Sequence, residues 1–159
     1  MKLRLTLACV GMLVSASALA ACSGGGSADA PAIEPFLWTE SPAYCAFLPS
    51  GTKFNPADKS TWEFVFITEP QAGTPLAQSQ AVMKIAGEMV RLNRAPDAPG
   101  ANARTWVYRG EDGMLEVELK LDQAATEIGG STGGPQNAKL SLRAPSKGLV
   151  QEVRGGCGL

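Results

Sequence analysis

Residues 115–122 alternate between apolar and charged side chains, and this pattern restricts the fold more than any other feature of the chain. The positions on the apolar side are Leu115, Val117, Leu119 and Leu121. A period of two is typical of a β-strand with one buried and one solvated face. Residues 105–109 are rich in β-forming side chains, and the linking segment 110–113 contains Asp-Gly, a strong turn signal. We therefore predict a β-hairpin over residues 105–122.

Further segments carry strand signals. Leu140 and Leu142 alternate with polar residues, and a turn at 145–148 leads into 149–154, which predicts a second hairpin ending near Cys157. Residues 62–68 are apolar on both faces after Glu63, as in a strand covered on two sides, and 44–48 fit an early strand. The chain is therefore predicted to be mainly β, a small antiparallel barrel or sandwich of about 6–8 strands.

Residues 76–93 fit two structures. Thr74-Pro75 could cap a helix that places Val82, Ile85 and Met89 on one face. Against a helix, Gly87 lies in mid-segment and the residues on either side of it alternate, as in two strands joined at a glycine turn. We favour the strands, and a helix in 76–93 stays open at this point.

The first 22 residues have the organisation of an export signal. Lys2 and Arg4 precede the apolar run 5–14, and small residues lead into Leu19-Ala20-Ala21-Cys22. This ending resembles the lipobox of bacterial lipoproteins. The resemblance implies that residues 1–21 are removed and that Cys22 becomes the lipidated first residue, carrying acyl chains such as palmitate.

The sequence disfavours two other interpretations of this segment. An uncleaved membrane anchor is disfavoured because 5–22 is only 18 residues long and is diluted by Thr6, Gly11 and two serines. An ordinary secreted protein with Cys22 near its cleavage site is disfavoured by the match of Leu-Ala-Ala-Cys at the right distance from the basic start.

The predicted mature chain has two parts. Residues 22–35, which include Ser23-Gly-Gly-Gly-Ser27, are expected to be a lipidated flexible tether. Residues 36–159 are expected to form a single β-rich domain that faces the periplasm. Because Ser23 and not an aspartate follows the lipidated cysteine, the resemblance to lipoproteins implies anchoring in the outer membrane.

The four cysteines predict one disulfide. Cys9 leaves with the signal and Cys22 carries lipid, so Cys45 and Cys157 remain as a pair. In the oxidising compartment of an exported protein, such a pair usually forms a disulfide. We expect this bond to join the two ends of the domain.

Charge limits the partners. Loss of Lys2 and Arg4 leaves 12 basic against 15 acidic residues, a formal charge of −3. Nucleic-acid binding depends on a basic surface, so no nucleic-acid partner is expected. Attachment to the membrane through the N-terminal lipid is expected, with an envelope protein or a small apolar ligand as a further partner.

The residue types predict no catalytic site. The chain has no histidine, which excludes a Ser-His-Asp triad and histidine-based zinc sites, and no metal or cofactor is expected. Glu116 and Glu118 share a strand face and could form a carboxylate pair, but their alternation with leucines fits a solvated row better. We therefore predict that the protein is not an enzyme.

Aromatic residues suggest a possible apolar pocket lined by Trp62, Phe64 and Trp106. The predicted function is a non-catalytic binding or accessory role in the cell envelope. One alternative is a carrier that holds a small apolar ligand in a barrel cavity. A second is an inhibitor of a lytic enzyme, because small disulfide-bonded β lipoproteins with similar architecture include inhibitors of lysozyme.

Overall fold

The structure, a computed structural model, describes residues 30–39, 43–69, 79–124 and 136–157, and β-strands joined by loops and turns are the main regular structure of these residues. The strands are β1 (Ile33–Glu34), β2 (Phe36–Leu37), β3 (Cys45–Pro49), β4 (Glu63–Phe64), β5 (Phe66–Glu69), β6 (Gln80–Ile85), β7 (Glu88–Arg94), β8 (Thr105–Arg109), β9 (Glu116–Leu121), β10 (Gln136–Ala144) and β11 (Gln151–Cys157). One turn of 3₁₀ helix covers Lys59–Thr61. Within the described residues, no helix is long and apolar enough to cross a membrane.

Eight strands close into an antiparallel barrel. From β5 to β11, each strand pairs with the next one along the chain, and β3 pairs with both β5 and β11, which completes the circle. Strand β1 is added beside β6, and β2 and β4 form a separate two-stranded sheet. The prediction of a small antiparallel barrel or sandwich is confirmed, with the barrel as the form adopted.

The two predicted hairpins are present. Strands β8 and β9 pair over 105–109 and 116–120, and β10 and β11 pair over 136–140 and 151–155. The apolar side of the alternation in β9 faces the barrel interior, where Val117, Leu119 and Leu121 are buried.

Residues 76–93 contain no helix in their described part. Strands β6 and β7 form a hairpin in which Ile85 pairs with Glu88 across Ala86-Gly87. Both turn residues have positive φ, 51° and 82°, as in the tight turns that match the twist of paired strands. The helix alternative for 76–93 is therefore wrong over the described residues 79–93. The turn at Ala86-Gly87 lets the alternating residues on either side of it form two paired strands.

Side chains fill the interior of the barrel. The rings of Phe47 and Phe66 have their centroids 6.0 Å apart, and those of Phe66 and Tyr108 are 5.3 Å apart, both edge to face. Apolar side chains from β6, β7, β9, β10 and β11 surround these rings and are almost completely buried. Burial of this surface is the main favourable contribution to the stability of a small barrel.

A second apolar layer, the outer cluster, covers one side of the barrel. Its buried members are Phe36, Ala46, Phe64, Ile67 and Val82. The chain bends at Val65, between β4 and β5, so Val65 and Phe66 enter the barrel core while Phe64 and Ile67 join the outer cluster. Coverage on both sides explains why residues 62–68 are apolar on both faces.

Strand pairing extends further toward the N-terminus than the sequence predicts. Ile33 and Glu34, assigned to the predicted tether 22–35, pair with Ile85 and Lys84. Ile33 packs against the barrel core and Glu34 binds Lys84 at 3.0 Å, which together hold the segment in place. The predicted signal 1–21 and Cys22 lie outside the described residues.

The barrel has two ends, which we name by the path of the chain. The near end carries the connections 50–62, 86–87, 110–115 and 145–150, and strand β1 begins beside it. The far end is where Cys45, Arg94, Thr105 and Cys157 lie. The candidate site described next is at the far end.

Candidate binding site at one end of the barrel

The arginine at the end of β7 turns into the barrel. Leu92 is buried in the barrel core and Val90 packs against that core. Arg94 is the next residue on the same face of the strand. Arg94 pairs directly with Tyr108, which also faces inward and is buried. Strand alternation thus brings a permanently charged guanidinium to the far end of an apolar barrel.

Two aromatic rings flank this guanidinium. The Cζ atom of Arg94 lies 4.5 Å from the ring centroid of Trp106 and 5.3 Å from that of Tyr108. Its Nη1 atom donates a long hydrogen bond of 3.4 Å to the Tyr108 hydroxyl. Arginine over an aromatic face is favourable, so the rings hold the guanidinium in one orientation.

The guanidinium has no carboxylate partner among the described residues. The Nε atom of Arg94 is buried and has no hydrogen-bond partner in this part of the chain. Arg91, on the outer face of the same strand, binds Glu69 at 3.3 Å. A buried donor without an acceptor costs about 1–3 kcal/mol, and more for a charged group. The arrangement is therefore suited to an anionic oxygen that approaches Arg94 from the far end.

Tyr108 and Ser79 add hydroxyl groups near the guanidinium, and both residues are buried. Burial raises the pKa of the Tyr108 hydroxyl, while the charge of Arg94 and hydrogen bonds with Arg94 and Ser79 oppose the rise. Because the net pKa lies above the ordinary tyrosine value, the hydroxyl stays protonated near neutral pH. It therefore adds no negative charge to compete for Arg94.

The possible carboxylate pair lies elsewhere, on the outer face of the barrel. Glu116 accepts from Arg109 Nε at 2.7 Å and from Arg143 Nε at 3.0 Å, and Arg143 Nη1 lies 3.9 Å from Glu118. These contacts tie together β8, β9 and β10. Carboxylates held by two arginines stabilise the wall of the barrel.

The structure separates the residues of the predicted apolar pocket. Phe64 is buried in the outer cluster and Trp62 packs against it, whereas Trp106 packs against the barrel core beside Arg94. The ring of Phe54 lies 6.2 Å from both Trp62 and Phe64, so these three residues form one group. Only Trp106 therefore belongs to the far-end site.

The two cysteines predicted to pair do so. Cys45 and Cys157 face each other in the register between β3 and β11 and are joined by a disulfide, at a sequence separation of 112. This bond joins the first and last strands of the barrel. Among the described residues, no group of three or more histidine, cysteine or acidic side chains is placed to hold a metal ion.

Sequence reasoning missed Arg94, although the signal was available. The run Val90-Arg-Leu-Asn-Arg94 alternates, so Arg94 falls on the apolar face of its strand. A charged residue in such a position is uncommon, because burial of an unpaired charge is costly.

Comparison with known proteins gives no relative for this chain: no family model, no curated protein and no solved structure matches it. A closed barrel of eight strands is compatible with ligand binding, since barrels of this size hold either packed side chains or one small ligand. The function has to be argued from the far-end site itself.

Proposed function

We propose that this protein is a lipid-anchored, non-catalytic binding protein of the bacterial cell envelope, and that it binds a small anionic ligand at the far end of its barrel. The signal pattern of residues 1–22 supports export and lipidation at Cys22, with the outer membrane as destination. The observation that carries the binding function is Arg94, an inward-facing guanidinium between two aromatic rings with no carboxylate partner in the described part of the chain.

The chemistry of the site defines the ligand class. A carboxylate or phosphate oxygen can accept from the unpaired Nε of Arg94, and charge-assisted hydrogen bonds of this kind are the strong ones. Trp106 is partly exposed at the same end and offers an aromatic surface for an apolar part of the ligand. We therefore expect a small molecule with an anionic group next to a planar or apolar group.

A carrier of an apolar ligand inside the barrel is less well supported. Its ligand would have to displace Phe47, Phe66 or Tyr108, which are buried and in contact with each other. Inhibition of a lytic enzyme stays a prediction, because no described contact favours that partner over others.

The experiment is a titration of the mature protein, followed through its three tryptophan indole resonances by NMR. Benzoate is the probe, and benzamide, which has nearly the same shape without the charge, is its neutral control. Phenyl phosphate tests whether the site also binds a phosphate group. We expect benzoate or phenyl phosphate to shift the Trp106 resonance and leave those of Trp38 and Trp62 in place, because these two pack with the outer cluster.

Arg94→Met should weaken binding of the anionic probe at least about tenfold, since a hydrogen bond to a charged group is worth about 1.5–3 kcal/mol. Arg91→Met is the matched control: it removes an arginine from the outer face of the same strand and should leave binding unchanged. Equal shifts with benzamide and benzoate would instead favour an apolar carrier. Binding that survives Arg94→Met would reject the far-end site.

A further inference from the structure

The near end of the barrel carries a set of exposed apolar side chains. Six large hydrophobic residues of the described chain are between 45% and 68% exposed, and all lie in or beside the near-end connections. They are Leu37, Phe54, Met89, Met114, Leu149 and Val150. Each of the four connections thus contributes or adjoins an exposed apolar residue, at the opposite end from Arg94.

The chain also enters the barrel at this end. Strand β1 runs beside β6 with Ile33 opposite Ile85, and the Ala32 carbonyl accepts a hydrogen bond of 2.9 Å from the Ala86 amide in the near-end turn. Ala30 is the first described residue, and seven residues, 23–29, separate it from Cys22. The eight steps from the Cα atom of Cys22 to that of Ala30 span at most about 29 Å when fully extended.

From these two observations we infer that the near end rests on the lipid bilayer, with the exposed apolar side chains in its interfacial layer; the inference depends on the proposed lipidation of Cys22. The connection to the anchored cysteine enters at this end, so the near end can reach the membrane surface, and its exposed apolar side chains favour that contact. Apolar residues on separate turns can each enter the interface, whereas a single continuous groove would be expected for a partner helix.

Charge identifies the kind of lipid surface. The residues 50–63, 86–88, 110–115 and 145–150 contain five carboxylates and three lysines. Attraction to anionic lipid therefore does not drive the contact, and contact with a zwitterionic bilayer should be insensitive to salt. With the near end on the membrane, the far end and Arg94 face the aqueous compartment, where a soluble ligand reaches them.

The test uses the mature acylated protein in phosphatidylcholine vesicles in which half of the lipid carries bromine on its acyl chains. A tryptophan is placed at the near end by Met114→Trp, with Leu149→Trp as a second variant. Asp122→Trp at the far end is the matched control, because Asp122 is also exposed. We expect brominated lipid to reduce the added emission of both near-end tryptophans at least twofold and to leave that of the far-end tryptophan unchanged.

Mass spectrometry of the same samples separates this inference from the proposal on which it rests. An acylated, vesicle-bound protein whose near-end tryptophans are not quenched, or whose far-end tryptophan is quenched equally, would overturn the orientation alone. A protein without acyl chains would overturn both the anchor and the orientation.

Discussion

At the scale of single residues, the chemistry of arginine explains why Arg94 is the most informative side chain of the barrel. A buried lysine can lose its proton and become neutral, but a guanidinium stays charged at any physiological pH. Its stabilisation must therefore come from its surroundings, here the faces of Trp106 and Tyr108. The two rings lie close to the guanidinium, while its Nε–H group still lacks a hydrogen-bond acceptor in the described residues. In the proposed function, an anion accepts from this Nε–H and completes the site.

A second residue, Gly155, permits the closure of the barrel between β3 and β11. A β-carbon added to Gly155 would overlap the carbonyl oxygen of Ala46 and would lie 2.7 Å from the Cα atom of Phe47. Because both are main-chain atoms, the two strands would have to separate. We expect Gly155→Ala to lower the free energy of unfolding by about 1–3 kcal/mol, measured by urea denaturation.

Gly110→Ala is the control for that substitution. Its β-carbon would meet the Asp112 carboxylate oxygen at 3.1 Å; this oxygen is the end of an exposed side chain, and a shift of a few tenths of an ångström relieves the contact while its hydrogen bond from the Met114 amide, 2.9 Å long, is kept. The control should change stability by less than about 0.5 kcal/mol. If Gly155→Ala unfolds at the same urea concentration as the unmodified protein, the close packing between β3 and β11 is incorrect.

At the scale of strands, the elements with local signals are the ones that sequence predicts well. The alternation in 115–121 and the Asp-Gly turn define the β8–β9 hairpin without reference to the rest of the chain. The structure of residues 79–93 is harder to predict, because their apolar positions fit both the helical and the strand period. The choice between helix and strands depends on the positive φ that Ala86 and Gly87 adopt together. Glycine adopts this conformation readily, but the alanine at position 86 gives no sequence signal for a positive φ.

Barrel closure and the binding site depend on contacts between distant parts of the chain. Pairing of β3 with β11, and of Arg94 with Tyr108, joins residues that no local pattern relates. The sequence grouped Trp62, Phe64 and Trp106 by residue type alone, whereas the inner and outer faces of the wall separate them. The cysteine pair was predictable because the predicted loss of Cys9 with the signal and lipidation of Cys22 left only two candidates.

The disulfide should stabilise the barrel through these two strands. Reduction of Cys45–Cys157, or the double substitution Cys45→Ala and Cys157→Ala, releases the first strand from the last. For a small exported domain, we expect the free energy of unfolding to fall by about 2–5 kcal/mol. Denaturation with and without dithiothreitol measures the loss. The reductant should have no effect on the double variant, and equal stability of the oxidised and reduced protein would contradict a role in closure.

At the scale of the whole molecule, the two ends of the barrel differ in chemistry. The far end holds the guanidinium of Arg94 and the edge of Trp106, while the near end presents apolar side chains on its turns. The chain begins its pairing at the near end, so attachment at Cys22 would turn the binding site away from the bilayer. The proposed orientation depends on the anchor, whereas the proposed anion binding at the far end depends on Arg94.

Lipidation of Cys22 is therefore the condition for this arrangement, and Cys22→Ala tests it. With the thiol removed there is no site for the thioether, so labelling of the protein with radioactive palmitate should be lost. Each buried methylene contributes about 0.8 kcal/mol to membrane binding, and stable attachment needs more than one chain. The unlabelled protein should accordingly leave the membrane fraction or retain residues 1–21, which mass spectrometry distinguishes. Cys9→Ala, within the predicted signal, removes a different cysteine and should leave labelling intact. Palmitate that persists on the Cys22→Ala protein would place the acyl chains elsewhere, and the connection that lets the near end reach the bilayer would no longer apply.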